Sequence, residues 1–275
     1  MGRGDRDVTC TLVSTTDDRD AAVRFLAASG ARENAMLIRD ILDSPEARRV
    51  VVCHRGPRIA GVASMPHGPD MASDDPWDRP VYMDAVDDES AEALLGVLPT
   101  EAALMVWLGR PHLQQYLDGL PAAIRRMHLL CFAVSFEDFR PAPDSQVRPL
   151  TAADLHLFAG CARQPSEAFW GPDREIWGLV RDGRVVTSAI LRPLVPELAG
   201  VTQGVTAICA LETETAYRRQ GLARGLVSHL TERVLAAGSV PIYSASVDNV
   251  PSQGLARGLG YQPYAEEIAY EWRHP

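Results

Sequence analysis

Apolar positions in the second half of the chain recur with the spacing of short strands and amphipathic helices. The stretch IWGLVRDGRVVTSAIL predicts a β-hairpin, because two apolar runs flank the tight-turn pair Asp182-Gly183. VTAICALET predicts a third strand. A helix is predicted from Gly221 to a stop at Gly238, and its apolar face comprises Leu222, Leu226, Val227, Leu230, Val234 and Leu235.

The remaining C-terminal sequence predicts a strand, a helix and a strand. PIYSASV is typical of a strand, and PSQGLARGLG of a short helix that starts with Pro251 and closes on Gly260. YQPYAEEIAYEW supplies the final strand or strands. The order ββ-β-α-β-α-β predicts a mixed α/β layer rather than a bundle or a sandwich.

The first half of the chain repeats this order more faintly. Helices are predicted at 21–28, 35–42, 91–98 and 112–117, and a strand pair turns at Gly56-Pro57. VYMDAV, AALMVWL and RRMHLLCFAVSFEDF supply further extended runs. This match of element order, though not of residues, predicts a duplication of one fold unit.

A boundary between the halves is predicted in FEDFRPAPDSQVRPL. Pro141 and Pro143 cannot continue a helix or a central strand, and each restricts the residue before it. We therefore expect two domains, at residues 1–140 and 141–275, each of ordinary domain size.

Composition excludes several classes of protein. The formal net charge is -9, and all 27 residues counted as Lys+Arg are arginine, so a Walker-type phosphate loop and a Schiff-base lysine are excluded. The acidic balance disfavours nucleic-acid binding. The chain has no apolar run of a membrane span's length, and MGRGDRDVTC has no apolar stretch typical of a secretory signal. The expectation is a soluble cytoplasmic protein.

The cysteines suggest neither a disulfide framework nor a zinc site. They are odd in number and are never spaced as C-x-x-C. Most are expected to be small buried hydrophobic residues. Their positions are Cys10, Cys53, Cys131, Cys161 and Cys209.

The strand-to-helix step AYRRQGLARGL is a candidate anion site. A glycine here lets the chain turn tightly, and the helix start offers unpaired N–H groups and partial positive charge. Arg218, Arg219 and Arg224 could bind phosphate oxygens beside Gly221 and the small Ala223. An ordinary helix start with solvated arginines is the alternative. A Rossmann dinucleotide site is disfavoured, because the loop lacks G-x-G-x-x-G.

Two sequence signatures resemble those of the GNAT acyltransferase superfamily. ICALETETAYRRQGLARGLVSHL resembles the family's coenzyme A-binding core, R/Q-x-x-G-x-G/A, with Arg218, Gly221 and Ala223 as the match. DNVPSQGLARGLGYQPY resembles the second signature, N-x-x-S-x-x-L-x-x-x-L-G-F/Y. The matching residues are Asn249, Ser252, Leu255, Leu259, Gly260 and Tyr261. The resemblance covers about residues 146–272.

The resemblance implies an acyl-CoA site with acetyl-CoA, or another acyl-CoA, as co-substrate and no metal. Main-chain groups of Leu211 and Thr213 would contact the pantetheine arm, and Asn249 and Ser252 would lie near the thioester. The amides that would hold the pyrophosphate are those of Arg219, Gln220, Gly221, Leu222, Ala223 and Arg224, beside the Arg218 side chain. The implied activity is N-acyl transfer, most simply acetyl transfer, to an amine by direct attack.

The sequence departs from the family's pattern at the residue that protonates the leaving group. Many members carry a tyrosine directly after the leucine of the second signature, as general acid to the thiolate, and here that residue is Ala256. Another group or water must then supply the proton, and the glycine-N-acyltransferase-like branch tolerates the same loss. The alternative is a non-catalytic acyl-CoA sensor or assembly module.

For the general base, Glu212 is the first candidate. On an extended strand its side chain points opposite to those of Leu211 and Thr213, so it can face the acceptor. A solvated strand-end glutamate is the alternative, and Glu214 is a weaker candidate. His229 is assigned no role, and Tyr243 is interpreted as structural rather than catalytic.

The first half lacks the anion-binding step. After VYMDAV the sequence is DDESAEALL, and its acidic residues would repel a phosphate while suiting a helix cap. We expect two GNAT-like lobes, each a mixed, mostly antiparallel sheet flanked by helices, with acyl-CoA bound only in the second. The acceptor would be an amine-bearing small molecule or peptide.

Overall fold

The structure, a computed structural model, describes residues 8–43, 48–67, 71, 75–142, 146–158, 170–198 and 201–274. The chain divides into two compact units. Unit 1 comprises Met1–Leu130 and Ala265–Pro275, and unit 2 comprises Cys131–Tyr264. The predicted division at residue 140 differs, because the last strand of the chain pairs with a strand of unit 1. Pro143 lies outside the described residues.

Unit 1 is a mixed sheet with helices on both faces. Its strands lie in the order β1-β2-β3-β4-β5-β12, and every neighbouring pair is antiparallel except the parallel pair β4–β5. The bounds are β1 Val8–Leu12, α1 Thr16–Gly30, α2 Ala35–Asp43, β2 Arg48–Arg55, β3 Arg58–Pro66, β4 Pro80–Ala85, α3 Asp88–Gly96, β5 Leu104–Leu108, α4 Pro111–Asp118, β6 Ala123–Ala133 and β12 Gln262–Trp272.

Side chains that alternate along the strands of unit 1 are buried on both faces of its sheet. Val51 and Cys53 of β2 join a core cluster with apolar residues of α3 and α4. Val50 and Val52 are also buried, and they point to the opposite face. Helices α1 and α2 contact β3. The predicted helices and strands of this half are confirmed, and β1 is an additional strand.

Unit 2 repeats the order of elements that unit 1 shows from β2 to α4, namely three strands, a helix, a strand and a helix. Its bounds are β7 Arg148–Leu150, β8 Glu175–Arg181, β9 Arg184–Val195, β10 Val205–Thr213, α5 Leu222–Ala236, β11 Val240–Ser246 and α6 Val250–Gly258. The strands lie in the order β11-β10-β9-β8-β7, with a parallel pair β10–β11 and antiparallel pairs elsewhere. The β8–β9 hairpin turns at Asp182 (φ 50°) and Gly183 (φ 72°), as the sequence predicts.

Helix α5 packs on β8, β9, β10 and β11. Its buried face contains Leu222, Leu226, Val227, Leu230 and Val234, which confirms five of the six predicted residues, whereas Leu235 is partly exposed. Gly238 follows the helix with φ 75°, the left-handed conformation in which helices commonly end.

One cysteine pair differs from the expectation. Cys10 and Cys53 are directly opposite each other on the antiparallel strands β1 and β2, and they form a disulfide. The sequence did not indicate this pair because 43 positions separate the two cysteines and only the strand register brings them together. Cys131 is buried, Cys209 is partly exposed and Cys161 lies outside the described residues.

Candidate functional site

The parallel strands β10 and β11 separate part-way along their length. Their register ends at the pair Ile208–Tyr243, whereas β10 continues to Thr213 and β11 to Ser246. We call the unpaired β11-side edge of β10 beyond this point, from Cys209 to Thr213, the β10–β11 gap. A strand edge presents alternating N–H and C=O groups, so an extended ligand can pair with it there.

A β-bulge interrupts β10 beside this gap. The register with β9 passes from Cys209–Ile190 to Glu212–Ser188, so Ala210 and Leu211 together oppose Ala189. Ala210 takes φ 51°, which is rare for a residue with a side chain. Bulges re-aim the main chain and side chains that follow them. Here the change falls at Leu211, whose main chain is a predicted contact of the pantetheine arm.

Glu212 and Thr213 project to opposite faces of β10. The Thr213 hydroxyl lies 2.9 Å from the hydroxyl of Thr187, which is 1% exposed, whereas Glu212 is opposite the partly exposed Ser188. The main-chain oxygen of Glu212 accepts a 2.7 Å hydrogen bond from Thr187 Oγ1. Glu212 therefore has a fixed backbone, and its side chain lies on the less buried face of the sheet.

Glu214, the weaker candidate base, has a different environment. Its Oε1 lies 3.1 Å from Arg184 Nη1, and its side chain is only 15% exposed. This ion pair ties the end of β10 to the start of β9. The carboxylate is therefore engaged in holding the strands together.

The loop after β10 presents main-chain N–H groups at the start of α5. Arg219 (φ 61°) and Gly221 (φ 81°) are both left-handed, and Gly221 is the N-cap residue. The first helical bond runs from Gly225 N to Gly221 O, at 3.0 Å, so the N–H groups of 222–224 precede the helical ladder. Helix α5 has neither a side-chain cap nor an acidic residue in its first turn. Such a helix start is suited to bind an anion.

The loop side chains are partly engaged in holding the loop in place. Arg218 Nε donates to Thr213 O and Arg224 Nη2 donates to Gly258 O, both at 3.0 Å. Gln220 Nε2 donates to Ala216 O at 3.4 Å. The guanidinium groups of Arg218 and Arg224 retain further donors, and the Arg219 side chain is exposed.

The second signature contains residues that stabilise α6 and its ends. The side chain of Asn249 caps the helix by accepting a 3.2 Å bond from Ser252 N. Gly260 has φ 94°, and a Cβ there would clash with the main-chain oxygen of Asp138, so glycine is required. The Tyr261 hydroxyl lies 2.7 Å from Thr231 Oγ1, and burial raises the pKa of Tyr261.

Two contacts hold predicted site residues against other elements of unit 2. Arg224 of α5 reaches the last turn of α6, and Tyr243 of β11 reaches Ser252 with a 2.5 Å distance between their hydroxyl oxygens. The first contact joins the start of α5 to α6, and the second joins the end of the β10–β11 pairing to the first turn of α6. His229 packs its ring 5.4 Å from that of Trp177, a structural contact. Ala256 is fully buried.

In unit 1 a cluster of bonded polar side chains lies just beyond the point where the parallel strands stop pairing. The parallel register of β4 and β5 ends at Tyr82–Trp107, and Asp84 lies just beyond it on β4. Its carboxylate accepts bonds from Arg110 Nε at 2.6 Å and from Asn34 Nδ2 at 3.1 Å. Within the described part of β4, the register with β3 is continuous from Tyr82 to Ala85, without a bulge.

The helix that follows β4 starts on a carboxylate. Asp87 caps α3 by accepting a 2.9 Å bond from Ser90 N, and Arg55 lies 2.8 Å from the same carboxylate. Burial would raise the pKa of Asp87, but the bonds from Ser90 and Arg55 lower it below its ordinary value. The positive end of α3 is therefore already paired with an anionic side chain of the protein.

Comparison with known proteins agrees with this arrangement. The profile of the acetyltransferase (GNAT) family matches residues 137–261. This part of the chain therefore resembles the GNAT family. No curated protein sequence matches the chain significantly.

Solved structures extend the fold likeness to both units. A tandem GNAT protein from the clavulanic acid biosynthesis pathway has a TM-score of 0.64 at 13% identity, covering 96% of this chain and 98% of that protein. A Drosophila protein scores 0.66 at 11% identity, with coverage of 97% and 99%. A GNAT-family acetyltransferase from Colwellia psychrerythraea scores 0.62 at 12% identity, with coverage of 96% and 100%. The fold is therefore two GNAT-like lobes, as predicted.

Membrane-spanning helices and metal-binding clusters are both absent from the part of the chain that the structure describes. None of the helices in the described ranges has the length and apolarity needed to cross a membrane. The described side chains contain no group of three or more His, Cys, Asp or Glu residues placed to hold a metal ion.

Proposed function

We propose that unit 2 binds acetyl-CoA or a similar acyl-CoA and transfers its acyl group to an amine. Three features of unit 2 together support this most directly. Strand β10 has a bulge, and it separates from β11 part-way along its length. It then leads into helix α5, which starts on Gly221 without a side-chain cap. The strand edge suits the amide-rich pantetheine arm, and the helix start suits the pyrophosphate. The family match of residues 137–261 supports the same activity.

Each part of acyl-CoA has a proposed position. The N–H groups from Arg219 to Arg224 would bind the pyrophosphate, with the guanidinium groups of Arg218 and Arg219 beside it. Leu211 is the stronger of the two strand contacts for the pantetheine arm, because the Thr213 carbonyl already accepts a bond from Arg218. Asn249 and Ser252 would border the thioester end.

The proposed chemistry is direct attack without a covalent enzyme intermediate. The amine nitrogen attacks the thioester carbon, while strand N–H groups near the bulge stabilise the developing oxyanion. Glu212, on the less buried face of β10, accepts the proton of the amine directly or through water. Glu214 is less suited to this role because it pairs with Arg184.

We propose that unit 1 binds no CoA and that each chain holds one. Asp84 and its partners Asn34 and Arg110 lie just beyond the last β4–β5 pair, and Asp87 supplies an anion at the start of α3. Admitting a pantetheine arm would require breaking a buried ion pair. Admitting a pyrophosphate would bring it against Asp87, Asp88 and Glu89.

One observation favours a second candidate function. Ala256, fully buried, takes the place of the tyrosine that protonates the leaving thiolate in many relatives. A unit that binds acyl-CoA without an efficient proton donor could act as an acyl-CoA sensor or assembly module.

Two measurements on the full chain separate these functions. Calorimetry with acetyl-CoA and with CoA tests the site itself. Thiol release from acetyl-CoA is then followed with polyamines, amino sugars, amino acids and a tripeptide. Binding with amine-dependent thiol release supports the transferase, whereas binding without release supports the sensor. Absence of binding contradicts both.

We place this activity in the cytoplasm, and cell fractionation tests that location.

A further inference from the structure

A short polar contact at the end of the β10–β11 gap joins two hydroxyl groups. Tyr243 Oη lies 2.5 Å from Ser252 Oγ, a short distance for two hydroxyls. Tyr243 is 3% exposed, whereas Ser252 is partly exposed. The pair therefore runs from the interior of unit 2 to an accessible hydroxyl on the first turn of α6.

This pair lies at the closed end of the gap. Tyr243 is the last β11 residue in register with β10, opposite Ile208. From Cys209 to Thr213, β10 spans at most roughly 13 Å at about 3.3 Å per residue, because the bulge shortens it, and an extended pantetheine arm is long enough to cover this distance. With the pyrophosphate at the start of α5, just past Thr213, the sulfur would lie near this closed end. Ser252 lies there too, because Tyr243 holds it.

Resting on the proposed transferase function, we propose that Tyr243 and Ser252 form the proton relay to the leaving thiolate. The C–N bond forms as the C–S bond breaks, and the sulfur keeps the electron pair. Ser252 Oγ gives its proton to the sulfur and receives the proton of Tyr243 Oη. Solvent then returns a proton to Tyr243 through Ser252, and Glu212 passes the proton of the amine to solvent, so the net change moves one proton from the neutral amine to CoA.

The environment of Tyr243 keeps its phenol in the protonated form. Burial raises the pKa of Tyr243, and the bond with Ser252 opposes that shift, so the phenol stays protonated at neutral pH. General acids of this kind typically contribute about 10²-fold or more to turnover. The relay would supply the proton that Ala256 cannot.

Unit 2 contains a matched control for a purely structural hydroxyl pair. Tyr261 Oη and Thr231 Oγ1 are 2.7 Å apart, and both residues are fully buried. Thr231 also donates to Val227 O at 2.7 Å, within its own helix. Tyr261→Phe therefore removes a buried tyrosine hydroxyl of the same chemical type and keeps the ring that packs edge-on against Tyr243, with the two ring centroids 6.2 Å apart.

The test measures kcat, KM and acetyl-CoA affinity for wild type, Tyr243→Phe, Ser252→Ala, Ser252→Thr and Tyr261→Phe. Each is also measured with the selenoester analogue of acetyl-CoA, whose selenolate leaves without needing a proton. We expect Tyr243→Phe and Ser252→Ala to lower kcat with acetyl-CoA by at least tenfold, with affinity unchanged. With the selenoester, the kcat of Tyr243→Phe and of Ser252→Ala should return close to the wild-type value. Ser252→Thr should retain most of the activity with acetyl-CoA.

The outcomes distinguish the relay from the proposed function. Equal losses with both donors, or wild-type kcat in Tyr243→Phe, would overturn the relay and leave the transferase standing. The same donor-dependent loss in Tyr261→Phe would also overturn it. If wild type binds acetyl-CoA but acylates none of the amines, the transferase fails and the relay fails with it.

Discussion

Arg110 Nε lies 2.6 Å from Asp84 Oδ1, at the position in unit 1 where the parallel strands stop pairing. The Asp84 side chain is only 2% exposed. In unit 2 the corresponding position is the gap beyond Ile208 and Tyr243. The same fold thus has a polar cluster of Asp84 and Arg110 beyond the paired strands in unit 1 and an unpaired strand edge at this place in unit 2. This contrast underlies the first two predictions.

We expect one molecule of CoA to bind per chain. Asp84 and Arg110 lie bonded together where the parallel strands of unit 1 stop pairing, and Asp87 occupies the anion position at the start of α3. Isothermal titration of the full chain with CoA should therefore saturate at one equivalent. Saturation at two equivalents, or a crystal structure with a nucleotide beside Asp87, would contradict the assignment of unit 1.

Arg110→Met should destabilise the protein substantially. The substitution keeps the apolar stem but leaves the buried Asp84 carboxylate without its cation, at a cost of roughly 3 kcal/mol in the free energy of unfolding. Urea denaturation measures this cost, and the CoA affinity of the folded variant should be unchanged.

Arg125→Met is the matched control for that prediction. Arg125 and Asp118 are also 2.6 Å apart, but their side chains are 43% and 44% exposed. An exposed pair of this kind contributes at most about 1 kcal/mol. Equal destabilisation in the two variants would mean that burial of Asp84 is not what makes its ion pair important.

Gly221→Ala should weaken CoA binding by about tenfold, which corresponds to about 1.4 kcal/mol. Gly221 has φ 81°, and an added Cβ there would meet no described protein atom within 4 Å. The methyl group would instead project into the space where the pyrophosphate is proposed to approach. Calorimetry on the folded variant measures the effect.

Gly238→Ala controls for backbone strain in that experiment. Gly238 lies beyond the other end of α5, with φ 75°, and a Cβ added there would also meet no described protein atom within 4 Å. Both variants should lose a similar roughly 1–2 kcal/mol of stability from the left-handed conformation. Only Gly221→Ala should bind CoA more weakly than wild type. A similar affinity in the two variants would exclude the α5 start as the phosphate site.

The sequence predicted the strand, loop and helix of the site because their signals are local. Gly221 and Gly238 mark the ends of α5, and the apolar spacing between them defines its buried face. By contrast, β1 escaped prediction because it is an edge strand with mostly exposed side chains, so it lacks a clear apolar alternation.

Features that depend on strand register could not be predicted from local sequence patterns. The bulge at Ala210 and Leu211 exists only relative to β9, and the bonds from Arg218 and Arg224 to main-chain carbonyls depend on the folded loop. The polar cluster of Asp84 and Arg110 joins residues 26 positions apart. No spacing rule connects such residues before the sheet is assembled.

The last prediction concerns Glu212 as the base. An amine is largely protonated near neutral pH, so attack on the thioester needs a proton acceptor at the acceptor face of β10. Glu212 lies on that less buried face, opposite Ser188. Glu212→Gln keeps the shape of the side chain and removes the base. Turnover should fall by about 10²-fold, while acetyl-CoA affinity stays close to that of wild type.

Glu214→Gln distinguishes this role from a general effect of charge at the end of β10. Glu214 pairs with Arg184, so its substitution should lower stability modestly and leave kcat close to wild type. Rates are compared from pH 6 to about pH 10, and the Glu212→Gln loss should shrink as pH rises, because the free amine then needs no base. If Glu212→Gln turns over normally at neutral pH while Glu214→Gln does not, the base is Glu214. If both turn over normally, solvent takes the proton, and the CoA site remains as proposed.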